Sequence, residues 1–209
     1  MICLKWIILE KVKFIRNFIL KVFYSYVGAH CEYYSLSLRK LFYTFHKVEI
    51  GMYSSGACFI PNLFPEGTKI GRYCTIDKTV RILNVNHPMN LKSSHAIFFN
   101  PVLGYSDSNL AHYTQVTIGN DVRIGAHVII LPACSSIGDG VVITPGTLVS
   151  KNIPPCAVVA GHLTKITGFR FSKEKIKQIK ESEWWDKNIE ELLPDMKNFL
   201  TPQEDQSYT

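Results

Sequence analysis

No two cysteines in this chain are spaced as C-x-x-C, although six are present: Cys3, Cys31, Cys58, Cys74, Cys134 and Cys156. That absence removes the usual ligand spacing of a structural zinc site. Isolated cysteines scattered over 209 residues do not make a disulfide framework either, and they read as reduced, mostly buried thiols of a cytosolic protein. Charge is scarce as well: 19% of residues are charged and the net charge is +6. Without a dense Lys/Arg stripe interleaved with aromatics, the chain lacks the footprint of a nucleic-acid-binding protein. The mild positive excess leaves room for anionic ligands or a lipid surface. Long apolar runs are missing too. The N-terminal MICLKWIILEKVKFIRNFILKVF is broken by Glu10 and Lys11, which leaves no stretch long enough to span a bilayer. No small-residue cleavage site follows it, as a signal peptide would require.

What is present is a 46% hydrophobic composition, enough for one domain with a real core. The N-terminal stretch, taken as a helix, puts Ile8, Val12, Ile15, Ile19 and Val22 on one face and Glu10, Lys13, Asn17 and Lys21 opposite. Two readings fit: a helix packed on its own domain or on a neighbouring subunit, and a basic amphipathic helix lying on a membrane surface. Leu38, Leu41, Phe42 and Phe45 predict a second short helix.

Beyond residue 48 a period of six takes over. Ile70, Ile76 and Ile82 are one run; Ile118, Ile124 and Ile130, then Ile137, Ile143 and Val149, are another, with a one-residue slip at Cys134–Ser136. IGMY at Ile50 reads as an earlier, less regular coil. Four residues after the anchors come Val122, Val128, Cys134, Val141, Thr147 and Ile153, mostly small or β-branched. Glycine follows the anchor at Gly51, Gly71, Gly119, Gly125 and Gly138, read as turn positions that tolerate no Cβ strain. A period of six fits neither an amphipathic helix nor a long alternating strand. It predicts short strands joined by tight turns, three to a coil, with the anchors of successive coils stacked into an apolar column. A β-sandwich would instead show turn signals every eight to twelve residues.

The period stops at RILNVNHPMNLKSSHAIFF and resumes only at Ile118. A structureless excursion of that length inside a compact domain is usually functional or disordered. It begins on an imidazole, His87, followed by Pro88.

IGNDVRIGAHVIILP and IGDGVVITPGTLVSKNIPPCAVVAG resemble the hexapeptide-repeat acyltransferases, which are left-handed parallel β-helix enzymes. NHP, the long loop after it, and WWD at Trp184–Asp186 look most like the xenobiotic acetyltransferase branch and its polysaccharide O-acetyltransferase relatives. The resemblance covers residues 48–190. It implies an all-β solenoid, a left-handed parallel β-helix over 48–167 with a protruding loop at 88–115. N-terminal helices would occupy 1–47 and a helical tail 168–209. It also implies a homotrimer with acetyl-CoA as co-substrate, no metal, and the donor lying in a groove between coils of adjacent subunits. By position in the motif, His87 would be the general base that takes the proton from an attacking hydroxyl. Imidazole suits that task because it titrates near neutral pH.

The loop would shape the acceptor pocket, with Asn86, Ser93, His95, Phe98, Phe99, Tyr105 and His112 as candidates, and Tyr53 contributed from the early coil. Ala126, Pro145, Ser150 and Lys151 would line the donor groove, and Lys151 and Lys165 would meet its phosphates. Three positions depart from the family pattern: Arg123 stands where tryptophan is usual, GHLTK replaces G-N-P-A-K, and Lys187 follows WWD. Ser172 is expected to cap a helix through KEKIKQIKES, with another from Asp186 to Leu193. The tryptophans are expected to pack.

A glycan hydroxyl is the expected acceptor, ahead of an antibiotic or a serine-like metabolite. The expected location is cytoplasmic, on the inner face of a membrane if the N-terminal helix rests there. Two other readings compete. The fold also hosts a zinc-dependent carbonic anhydrase, but His87, His112 and His127 lack its closely spaced pair. A non-catalytic scaffold would have no use for the NHP motif and the long loop.

Overall fold

The computed structural model describes residues 31–202, except 104 and 108, together with Phe18 and Val22. Phe18 and Val22 are helical and exposed; the remainder of the expected N-terminal amphipathic helix lies outside the described residues. No helix among the described residues is long and apolar enough to cross a membrane.

Each hexapeptide forms a two-residue strand, and the strands stack in parallel on three faces. On the first face Ile50, Ile70, Ile118 and Ile137 are in register, and Ile153 bridges to Ile137. On the second, Gly56, Ile76, Ile124, Ile143 and Val159 align. On the third, Ile82, Ile130 and Val149 align. The chain visits the faces in fixed rotation. Seven residues instead of six separate Ile130 from Ile137, which is the slip seen in the sequence. Every aliphatic anchor is buried while the residue before it points outward, as strand alternation requires. Val122, Val128, Cys134, Val141, Thr147 and Ile153, the residues four after the anchors, are buried as well and close the corners from inside.

The glycines do a different job from the one their position suggested. Gly51, Gly71, Gly119, Gly125 and Gly138 do not have positive φ. The left-handed conformation falls two residues later, on Tyr53, Tyr73, Asp121, His127 and Gly140, and at the matching positions Gly146 and Cys156 of coils where Thr144 and Pro154 follow the anchor. Glycine is needed after the anchor because the next coil passes too close. A Cβ on Gly71 would sit 2.5 Å from the Gly119 carbonyl oxygen, and one on Gly125 would sit 2.7 Å from the Pro145 nitrogen. Gly71→Ala is therefore expected to destabilise by the upper end of roughly 1–3 kcal/mol, because the obstacle is backbone and cannot rotate away. Thermal denaturation measures it.

Buried thiols line this interior. Burial pushes the Cys74 thiol up to about 12 and that of Cys134 up to about 11, and it raises Cys58 and Cys156 too. A thiol held protonated is a poor nucleophile. With Cys3 and Cys31 replaced by serine, the folded protein at pH 8 is expected to react slowly with a thiol reagent. All four remaining thiols should then react on adding guanidinium.

The helix Leu36–His46 closes the first coil, with Ser35 as its cap and Leu38 and Phe42 buried against the stack. In that coil the 3-10 turn Ala57–Phe59 follows the second-face strand Ser55–Gly56 directly, and the Phe59 ring meets Phe42 edge-on at 5.4 Å. At the other end, Ala157–Ala160 pairs antiparallel with Lys165–Phe169. Arg170, just past this hairpin, donates to Asp121 Oδ2 at 2.7 Å and to the Gly140 carbonyl at 3.0 Å, tying it to the coils.

The helix Lys173–Ser182 is capped by Ser172, as expected. The next expected helix begins three residues late, at Ile189. Asn188 and Glu191 form a capping box there, so Asn188 and not Asp186 starts it. Pro194 does not end the helical run but sits in a 3-10 turn, Leu193–Asp195, that leads into Met196–Leu200. Trp185 is buried, and Trp184 packs between Tyr73, Trp185 and Phe199.

Candidate active site

The long excursion leaves from the third face. After Arg81–Ile82, the segment Val85–Asn86 pairs antiparallel with His112–Tyr113, and Thr114 N–H donates to the Asn84 carbonyl at 2.8 Å. This short ladder pinches the loop at its neck, and His87 is the first residue beyond it. Its ring is exposed, with Pro88 buried immediately after it. The His87 ring meets the Phe99 ring at 5.2 Å between centroids and 62° between planes, and Phe99 is only 2% exposed.

The loop is organised by its own short-range hydrogen bonds. Ser93 Oγ accepts from His95 N–H, His95 Nδ1 from Ile97 N–H, Asn100 Oδ1 from Val102 N–H, and Asn109 Oδ1 from Ala111 N–H. Polar side chains that bond nearby backbone favour turns over strands, which is why the hexapeptide period cannot continue here. Ser93 and His95, expected in the acceptor pocket, are thus used as turn caps. Asn86 and His112 are cross-strand partners and both exposed. Phe98 and Phe99 part company: Phe98 is 63% exposed while Phe99 lies beneath His87. Met89, Leu103, Tyr105, Leu110 and Tyr113 give this rim a strongly apolar surface.

Tyr53 is placed away from this cluster. Its ring stacks on Tyr73 at 4.6 Å, and its hydroxyl accepts from Ile189 N–H at 3.1 Å. Tyr73 donates to the Lys187 carbonyl, and Arg72 reaches Lys187 and Asn188. Within one chain, Tyr53 therefore anchors the tail and makes no contact with His87 among the described residues. Burial raises the Tyr73 hydroxyl, with the Arg72 contact opposing.

The residues expected to hold a donor fall in two groups, one at each side of the third face. Ala126 and Pro145 lie on consecutive coils at the corner between the second and third faces. There Gly146 N–H donates to the Ala126 carbonyl at 2.8 Å. A Cβ on Gly146, at positive φ, would meet open space, so this corner is unobstructed. Ser150 ends the last third-face strand, and its N–H donates to Thr164 Oγ1 at 2.6 Å, which in turn donates to the Leu148 carbonyl. Lys151 and Lys165 flank that link, both exposed. Thr164 is not marked by the hexapeptide period. Its signal was the departure GHLTK itself, which supplies a buried hydroxyl that laces the closing hairpin to the third face. Nearby, His127 N–H donates to Thr79 Oγ1, and Thr79 in turn bonds Asp77, whose carboxyl these bonds hold below its usual range.

A hollow of about 410 Å³ between the last coils and the tail, lined in part by Asp121, Cys156, Arg170 and Trp184, contains none of the residues assigned a role. The same holds of a shallower groove past Thr117, Ser136 and Asn152 on the first face. Among the described residues no three His, Cys, Asp or Glu side chains are grouped as a metal site would need, so His87, His112 and His127 do not form one.

Parallel rungs in three faces, interrupted once by a loop with an exposed imidazole at its neck, define the class of protein. No family model matches the chain. A chloramphenicol acetyltransferase of Morganella morganii is 32% identical over 129 residues, which is 59% of this chain and 61% of that protein. A probable macrolide acetyltransferase of Lysinibacillus sphaericus is 30% identical over 137 residues, 61% of this chain and 73% of that protein. A galactoside O-acetyltransferase of Escherichia coli K12 is 54% identical over 46 residues, 22% of each. The chain belongs to the hexapeptide-repeat acyltransferase family, on the branch that holds the xenobiotic acetyltransferases. The match spans about three fifths of the length of the chloramphenicol acetyltransferases.

Proposed function

We propose that this protein is an acetyl-CoA-dependent O-acetyltransferase built on a left-handed parallel β-helix, with His87 as general base. The observation that carries the reading is the placing of His87 at the loop neck on the third face, the face that also ends in Ser150 and Lys151. In the step proposed, a ring nitrogen of His87 takes the proton of the acceptor hydroxyl. The hydroxyl oxygen attacks the thioester carbonyl, the C–S bond breaks, and an ester and CoA thiol result. Ala126 and Pro145 would bear on the pantetheine arm. Lys151 and Lys165 would meet the phosphates as point charges.

The apolar rim of the loop and the open donor corner both call for a second wall, and a homotrimer would supply it. Light scattering is expected to return three times the chain mass, and a monomer would exclude this arrangement. A cytoplasmic enzyme whose N-terminal helix rests on a membrane should sediment with anionic vesicles and lose that binding when residues 1–30 are removed.

The preferred acceptor is a sugar hydroxyl of a surface glycan precursor, since Phe98 and Tyr105 are exposed aromatics on which a pyranose ring would stack. A lipophilic antibiotic alcohol is the second reading, favoured by Met89, Leu103 and Leu110 on the same rim and by the relatives aligned over most residues. Thiol release from acetyl-CoA against a panel of glycans, chloramphenicol, macrolides and serine decides between them. No turnover with any acceptor, together with no binding of CoA, would leave the scaffold reading in place.

A further inference from the structure

The geometry points to Phe99 as the residue that positions the His87 imidazole, an inference that rests on the transferase reading above. A general base must aim a ring nitrogen at its substrate, and two side-chain torsions govern that aim. A polar partner on the other ring nitrogen usually sets them. Among the described residues the His87 ring makes no hydrogen bond, and its one ring contact is Phe99.

Each freedom of His87 has its own restraint. Pro88 follows directly and confines the His87 backbone to extended conformations. The torsions of the ring are left to Phe99. That phenylalanine is 2% exposed yet lies outside the main hydrophobic core of the coils. Its N–H donates to the Ala96 carbonyl and its own carbonyl accepts from Leu110 N–H, so both halves of the loop hold it in place. A tilted, edge-type contact between rings is directional, unlike simple apolar burial. Phe99 therefore acts through His87 and not on the substrate.

The test combines the intact protein with two variants. In the unmodified protein, NMR should show cross-relaxation between the His87 and Phe99 ring protons; its absence would overturn the inference. In Phe99→Leu, the His87 ring signals should shift, kcat should fall about three- to tenfold, and both KM values should stay within about twofold. In a His87→Ala background, Phe99→Leu should leave the residual rate unchanged, because there is no imidazole left to aim. A merely structural role would instead raise KM, lower the melting temperature sharply, or slow the His87→Ala protein too, and any of these overturns the positioning role. If no acceptor is turned over, the transferase reading fails, while the ring cross-relaxation still decides whether Phe99 orients the imidazole.

Discussion

Replacing His87 by alanine is expected to lower acceptor-dependent kcat by about 10²–10⁴-fold, the usual contribution of a positioned general base. The change should leave the fold intact, because the side chain is exposed and its one ring contact is with Phe99. Donor binding should be unaffected, since the hydrogen bonds that hold Gly146 to Ala126 and Ser150 to Thr164 do not involve His87. The measurement is thiol release at saturating donor, paired with calorimetric titration of CoA. An unchanged kcat would remove His87 as the base, and lost CoA binding would show that its role is structural.

The largest effect on stability is expected at Arg39. A parallel stack has an open edge at each end, and its unpaired backbone groups need partners. At the first coil Arg39, itself buried, donates to the carbonyls of Glu32, Ser35, Gly51 and Ser54 at 2.7–3.3 Å. Glu32 completes the cover by accepting from Gly56 N–H at 2.7 Å. Arg39→Met keeps much of the volume but strands these acceptors and removes the buried charge. Losses of roughly 3–5 kcal/mol are typical for such a disruption. For a chain of this size that corresponds to a melting temperature lower by about 6–20 °C. A shift below about 3 °C would mean that water replaces the guanidinium, and that the edge is not closed by this side chain.

Much of this molecule is legible along the chain because the hexapeptide period is a local code. Each anchor needs only its own rung to be recognised, so the anchors and the buried residues four positions on follow from spacing alone, while the register that aligns Ile70, Ile118 and Ile137 across the loop does not. The interruption is equally plain, since Asn, Ser and His residues that cap their own turns cannot maintain a strand period. His87 stands out at its start, and the Ser172 cap is a local signal too. Arg39, Thr164 and Phe99 were not legible in the same way. Arg39 lies in a segment read only for its aliphatic positions, and its worth depends on which carbonyls the first coil leaves open. Phe99 differs from Phe98 in burial, not in chemistry.

The sequence by itself determined the repeat, its rotation through three sides, the place where it breaks and the imidazole at that break. These depend on residue type and spacing within a few positions. Only the tertiary structure decided why the post-anchor glycines are required, which tyrosines hold the tail, and which loop aromatic lies under His87. The first arises because neighbouring coils pass within 2.5–2.7 Å of where a Cβ would be. The others arise because partners far apart in the chain, such as Tyr53 and Ile189, meet only once the rungs have stacked.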